Sequence, residues 1–199
     1  MDVGTGMNAL SSEPHYTVAL GWSRRLVWGL FLAALSTLWL GAGPPASRLA
    51  RAQELGVPEG RVILAISGRI DRTNGKGVAE FDRAMLEAMP FTTVETMTPW
   101  TDGVARFEGP LARDLMKRVG ARGSRVRATA INDYAVDIPM EDFERYPVIL
   151  AMKMNGEVLH TRTKGPLWVI YPWSDQPSLR NETGYNRSIW QVKELAIKK

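Results

Sequence analysis

The sequence predicts an α+β fold, mixed and strand-rich. Three observations carry that reading. Short β-branched, apolar or alternating segments outnumber helical ones, giving six or seven strands against two clear helices. The two helical segments do not alternate strictly with strands, which argues against a doubly wound parallel sheet. One dipeptide, Asn155-Gly156, lies between apolar segments and is a strong hairpin signal.

In chain order, Val62 to Ser67 (VILAIS) is a short apolar run suited to a strand, and Arg72 to Gly77 carries turn residues. Phe81, Ala84, Met85 and Ala88 follow helical spacing, and Pro90 ends that helix. Thr92 to Thr96 is β-branched and predicts a strand. Pro110 is read as the first residue of a helix whose apolar stripe is Leu111, Leu115 and Val119, closed by Gly120. Val126, Ala128 and Ala130 alternate with polar residues, as do Tyr134, Val136 and Ile138, and Asn132-Asp133 turns the chain between them. Glu141 to Tyr146 forms a short helical turn, with Glu141, Asp142 and Glu144 as its acidic start. Val148 to Met154 is a buried-type strand running into Asn155-Gly156. Leu167 to Tyr171 and Ile189 to Ile197 complete the strands.

Residues 1–52 have a different character. Arg24-Arg25 precede an uncharged run from Leu26 to Leu40, then small and Pro residues lead to Ala50-Arg51-Ala52. This is the layout of a secretory signal peptide. The run would span about 22 Å as a helix, short of the roughly 30 Å of a bilayer core, while extension to Gly43 makes an uncleaved N-terminal membrane anchor the alternative. Both readings export the remaining residues, 53–199, to the periplasm or as a secreted protein. That stretch is long enough for one domain with its own core.

Composition narrows the chemistry. The 199 residues are 45% hydrophobic and 23% charged, as in an ordinary globular protein. There is no cysteine, which excludes disulfides, thiolate metal sites, iron–sulfur clusters and a cysteine nucleophile. His15 and His160 are the two histidines, too few for a multi-imidazole metal site. Residues 53–199 hold 21 basic and 19 acidic residues, a balance that argues for no nucleic acid partner and for membrane contact only through the possible anchor. One local cluster, Lys117, Arg118, Arg122, Arg125 and Arg127, reads either as a solvated helix end or as an anion or partner surface. No phosphate loop or dinucleotide fingerprint is present. His160, beside Arg162 and Lys164, reads as a surface residue or a ligand-facing one. Trp100, Trp168, Trp173 and Trp190 fall near strand ends or loops, where they serve as core plugs or as walls of a pocket for a flat ligand.

Four stretches, Trp100 to Leu115 (WTDGVARFEGPLARDL), Arg125 to Pro139 (RVRATAINDYAVDIP), Val148 to Val158 (VILAMKMNGEV) and Lys164 to Pro172 (KGPLWVIYP), occur in an order that resembles the molybdopterin-binding domain of the sulfite oxidase family. Ser188 to Ile197 resembles its last strand. The resemblance implies a single domain of that mixed, strand-rich fold, without a haem or dimerisation domain. It also implies an oxidoreductase whose molybdenum is held by pterin sulfurs and one protein cysteine. The family's cysteine falls near Thr96 or Met97 here, an arginine of the family is replaced by Trp168, and a lysine by Trp190. A hydroxyl or thioether is not an equivalent anionic ligand, and the exchanged cations are the groups that suit the cofactor's phosphate.

Two functions follow. One is a catalytically degenerate member that binds a small molecule or another exported protein in the former cofactor cleft, with Trp100, Asn132, Tyr134, Lys164, Trp168, Arg187 and Trp190 as candidate lining and no metal ligand. The other is a molybdopterin-dependent oxidoreductase without a protein thiolate.

Overall fold

Alternation of Leu64 and Ile66 turns one face of β1 (Val62–Gly68) into the core of the computed structural model, which describes residues 55–199. The sheet around it has the order β2–β1–β11–β5–β6, with β2 (Ala79–Asp82), β5 (Arg125–Ala130), β6 (Ala135–Pro139) and β11 (Val192–Lys198). β1 and β11 run parallel, pairing Ala65 with Glu194 and Gly68 with Ile197, while every other neighbour in this sheet is antiparallel. Parallel neighbours require a long crossover, and the rest of the domain lies within it.

A second sheet has the order β3–β4–β8–β9, from β3 (Phe91–Met97), β4 (Val104–Pro110), β8 (Lys153–Met154) and β9 (Glu157–Val158). β7 (Ile149–Ala151) and β10 (Trp168–Ile170) form an antiparallel pair, all six residues buried. Gly109 on β4 is packed so tightly against the Leu150 carbonyl that a Cβ there would overlap it. The bare backbone is what lets β7 lie against β4. Four short helices, α1 (Arg83–Glu87), α2 (Ala112–Val119), α3 (Met140–Arg145) and α4 (Glu182–Asn186), complete the domain. Among the described residues, no helix is long and apolar enough to cross a membrane. The leader expected at 1–52 lies outside the described residues.

Several boundaries differ from the sequence expectation, each for a local reason. Phe81 is not the first apolar residue of a helix; it pairs with Leu64 on β2 and is fully buried. The helix begins after it because the Asp82 carboxylate caps it, accepting from the Met85 N–H at 2.8 Å. Pro110 ends β4, still paired with Phe91, and α2 starts at Ala112. The run from Val148 to Met154 breaks at Met152, whose N–H donates to the Glu108 carbonyl, so β7 pairs with β10 and β8 with β4. The last strand starts at Val192 rather than Ile189, because Gln191 has φ 53° and leaves the extended region. Gly120 does close α2, with φ 65°.

Asn155 and Gly156 have φ 52° and 84°, the left-handed pair that a two-residue turn requires, and they join β8 to β9. The Asn155 side-chain oxygen accepts from the Arg106 N–H at 2.9 Å, tying the turn to β4. Changing both residues to alanine is expected to lower stability by about 1–3 kcal/mol, read as a shift in the urea midpoint at unchanged slope.

Asp82 is the other local anchor: besides Met85, it accepts from the Gly60 N–H at 2.8 Å and the Glu59 N–H at 2.9 Å. These bonds, Met85 first and Gly60 next, hold its carboxyl below the usual range. A lowered folded value stabilises above the unfolded value of about 4, and the contribution disappears as pH falls through the folded value. Asp82→Asn, which accepts but does not ionise, is expected to flatten the acid limb of the stability–pH curve. An unchanged limb would assign acid sensitivity elsewhere.

Candidate functional site

The turn between β5 and β6 places the first wall of a cleft. Asp133 takes φ 66°, the Tyr134 N–H donates to the Asn132 side-chain oxygen at 3.2 Å, and the Ala130 N–H donates to the Tyr134 carbonyl at 2.8 Å. This presents Asn132 and Tyr134 at the end of the larger sheet. The facing wall is α4 and the residues after it, carrying Tyr185, Asn186 and Ser188. Asn181 caps α4, accepting from the Gly184 N–H at 2.9 Å. Trp100, from the β3–β4 loop, and Trp190, just before β11, close the base. The cleft encloses about 230 Å³, and no charged side chain lines it.

Beneath the cleft lies an aromatic cluster. The Trp100 ring is 5.3 Å from Trp190, 6.0 Å from Trp168, 6.3 Å from Tyr185 and 6.4 Å from Trp173, in tilted or edge-on arrangements that the ring quadrupoles favour. Trp168 is completely buried, and Phe107 meets it edge-on at 5.3 Å. Its indole N–H is shared between the Ser188 carbonyl and hydroxyl, both at 3.1 Å. The Ser188 hydroxyl donates onward to the Val169 carbonyl, so every polar atom of this plug is used.

The structure gathers four of the expected residues, Trp100, Asn132, Tyr134 and Trp190, around one cleft. It corrects three. Trp168 is not a wall but the buried layer behind the wall. Lys164 lies outside, its ammonium 4.5 Å from the Trp190 ring centre and 5.2 Å from that of Trp168, as a cation–π cover that also borders a separate hollow with the exposed His160. Arg187 does not bring positive charge to the cleft; it pairs with Asp142 at 2.9 Å. Tyr185, Asn186 and Ser188 were not expected. The signal that finds them is Asn181-Glu182, a capping residue followed by an acid, which marks the start of α4.

Asp142 also accepts from the Tyr171 hydroxyl at 2.8 Å. Tyr171, just after β10, Asp142 on α3 and the part-exposed Arg187, just after α4, thus form one network behind the cleft wall. Burial first, then the Asp142 charge, pushes the Tyr171 phenol well above its ordinary range. Thr96 is fully buried, accepting from the Ser174 N–H at 2.9 Å and donating to the Met97 carbonyl at 3.3 Å, whereas the Met97 side chain is exposed.

Residues 79–174 match the family described as the oxidoreductase molybdopterin-binding domain. No curated protein matches the chain. Among solved structures it is similar to the sulfane dehydrogenase SoxCD from Paracoccus pantotrophus, with 19% identity and a TM-score of 0.53 over 72% of this chain. The match covers 40% of the SoxCD chain, and at that identity the likeness is one of fold.

The Tyr171–Asp142–Arg187 network yields two expectations. Arg187→Ala leaves the Asp142 carboxylate without its cation and should cost about 3 kcal/mol in urea unfolding. A raised phenol value means that Tyr171 stabilises fully below the unfolded value of about 10 and loses that contribution as pH rises through the folded value. Tyr171→Phe should therefore remove part of the alkaline unfolding transition, followed by tyrosinate absorbance.

Proposed function

This chain carries an oxidoreductase molybdopterin-binding domain of the sulfite oxidase type, and from that premise we propose that it uses the fold to bind a small, flat, uncharged ligand rather than the molybdenum cofactor. The observation that carries the reading is Trp168, an indole filling the position where the resemblance puts an arginine, with its one donor already satisfied.

A molybdenum–pterin group does not fit the residues present. The resemblance implies one protein thiolate on the molybdenum beside the pterin sulfurs, and the chain has no cysteine to supply it. Of the two positions implied for it, Thr96 is buried with its hydroxyl engaged by Ser174 and Met97, and the Met97 side chain is exposed. A phosphate would require cations, and the cleft lining has none, since Arg187 is held by Asp142 and Lys164 lies on the rings. The cleft volume of about 230 Å³ is also below the roughly 300–1,000 Å³ of pockets that enclose drug-sized ligands.

What remains suits a small ring. Trp100, Tyr134, Tyr185 and Trp190 offer aromatic surface, and Asn132, Asn186 and Ser188 offer donors and acceptors to orient a neutral polar edge. The domain acts outside the cytoplasm in this reading, following the charge, apolar run and small-residue exit of residues 24–52. The family match over residues 79–174 is what favours the second reading, a molybdopterin oxidoreductase without a protein thiolate.

Titration of the intrinsic tryptophan fluorescence tests the proposal. Uncharged heteroaromatic compounds should shift the emission saturably, and Trp190→Ala should weaken that binding at least tenfold, about 1.4 kcal/mol. Tighter binding of an anionic pterin phosphate than of any neutral ring would overturn it.

A further inference from the structure

The strand directions sort charge to one end of the larger sheet. β1 and β11 end there and β5 begins there, since Gly68 pairs with Ile197, and Lys198 with Arg125. The Arg69 N–H donates to the Ile197 carbonyl and the Arg122 N–H to the Arg69 carbonyl, which brings those two residues to the same end. The C-terminus of α2 joins them: Asp71 and Arg72 donate backbone N–H groups to the Val119 carbonyl, and the Arg72 guanidinium caps the Lys117 and Arg118 carbonyls at 3.0 and 2.8 Å. The result is a pole carrying Arg69, Lys117, Arg118, Arg122, Arg125 and Lys198, all exposed. Its acids are already engaged, Asp71 by Arg122 at 2.6 Å and Asp114 by Lys117 at 3.9 Å. Arg69, Arg118, Arg125 and Lys198 have no ion pair among the described residues.

The aromatic cleft lies at the opposite end, at the β5–β6 turn, one six-residue strand or about 20 Å away. The small net charge of the chain therefore hides a strong asymmetry. The described chain begins alongside β2. From the start of β1, beside Asp82, residues 60 to 56 run back along β2 until the Gly56 carbonyl accepts from the Asn74 side chain at 2.7 Å. Only 14 residues separate Leu55 from the apolar run that ends at Leu40.

We propose that this pole docks on an anionic bilayer surface, holding the domain with its cleft turned away from the membrane. Clustered cations are the chemistry that anionic headgroups attract, within a screening distance of about 8 Å at physiological salt, and the apolar run, where it stays uncleaved as an anchor, holds them beside the bilayer. The pole is independent of the ligand assigned to the cleft.

The absence of native cysteine makes the test direct. In the full chain, Ser124→Cys labels the pole and Thr161→Cys, near Gln191, labels the cleft end; both sites are exposed. Each labelled protein is reconstituted with vesicles of phosphatidylglycerol and phosphatidylcholine that carry a headgroup-attached quencher. The probe at 124 should be quenched several-fold more than the probe at 161. The difference should vanish in pure phosphatidylcholine, in about 0.5 M salt, and in the combined variant Arg69→Glu, Arg118→Glu, Lys198→Glu. Neutral-ring binding by that variant should stay unchanged, which separates this test from that of the cleft. If the triple variant fails to fold, the lipid and salt dependence of the otherwise native chain decides. Equal quenching at the two ends, indifference to lipid charge, or preference of the pole for duplex DNA over vesicles would overturn the proposal.

Discussion

The Trp168 indole is the group on which the rest of the domain depends. It sits on β10, which pairs with β7, and its ring meets Phe107 of the second sheet, Trp100 of the β3–β4 loop and Trp190 at the entrance to β11. Its N–H fixes Ser188, and Ser188 fixes Val169 in turn. A side chain of this size contributes large apolar burial and a single donor. Both are fully used, so the two sheets and the segment after α4 are positioned by one ring. An arginine at this depth would need a carboxylate or phosphate partner, and Phe107, Trp100, Trp190, Ser188 and Lys164, the partners of Trp168 described above, carry no carboxylate.

The buried Trp168 ring shapes the cleft above it. With Trp168 as the buried layer, Trp100 and Trp190 become the base, and Lys164, outside the lining, is held over the Trp190 and Trp168 rings by cation–π contact. Arg187 stays in the Tyr171–Asp142 network and braces the wall from behind. The cleft is therefore aromatic and neutral although arginine and lysine are close by. The larger sheet thus presents two unlike ends, one neutral and aromatic, one basic.

Much of this was legible in the sequence. The left-handed Asn155-Gly156 pair, the Gly120 stop and the Asn132-Asp133 turn are backbone requirements of adjacent residues, so local composition reveals them. The order of the quoted segments carried the fold, and it carried Trp100, Asn132, Tyr134 and Trp190 to one place. What was not legible depended on distant partners. Phe81 has helical spacing but is captured by Leu64 across the sheet. Arg187 and Asp142 are 45 residues apart, and nothing near either one announces the other. Trp168 and Trp190 look alike as letters; only burial distinguishes the plug from the wall.

The proposed function requires that aromatic packing occupy the cofactor's place in this fold. Molybdenum and pterin per chain, measured on the protein isolated from its own cells without added metal, address it most directly. The expected result is less than a few hundredths of an atom per chain, roughly background. Molybdenum and pterin approaching one equivalent each would contradict it.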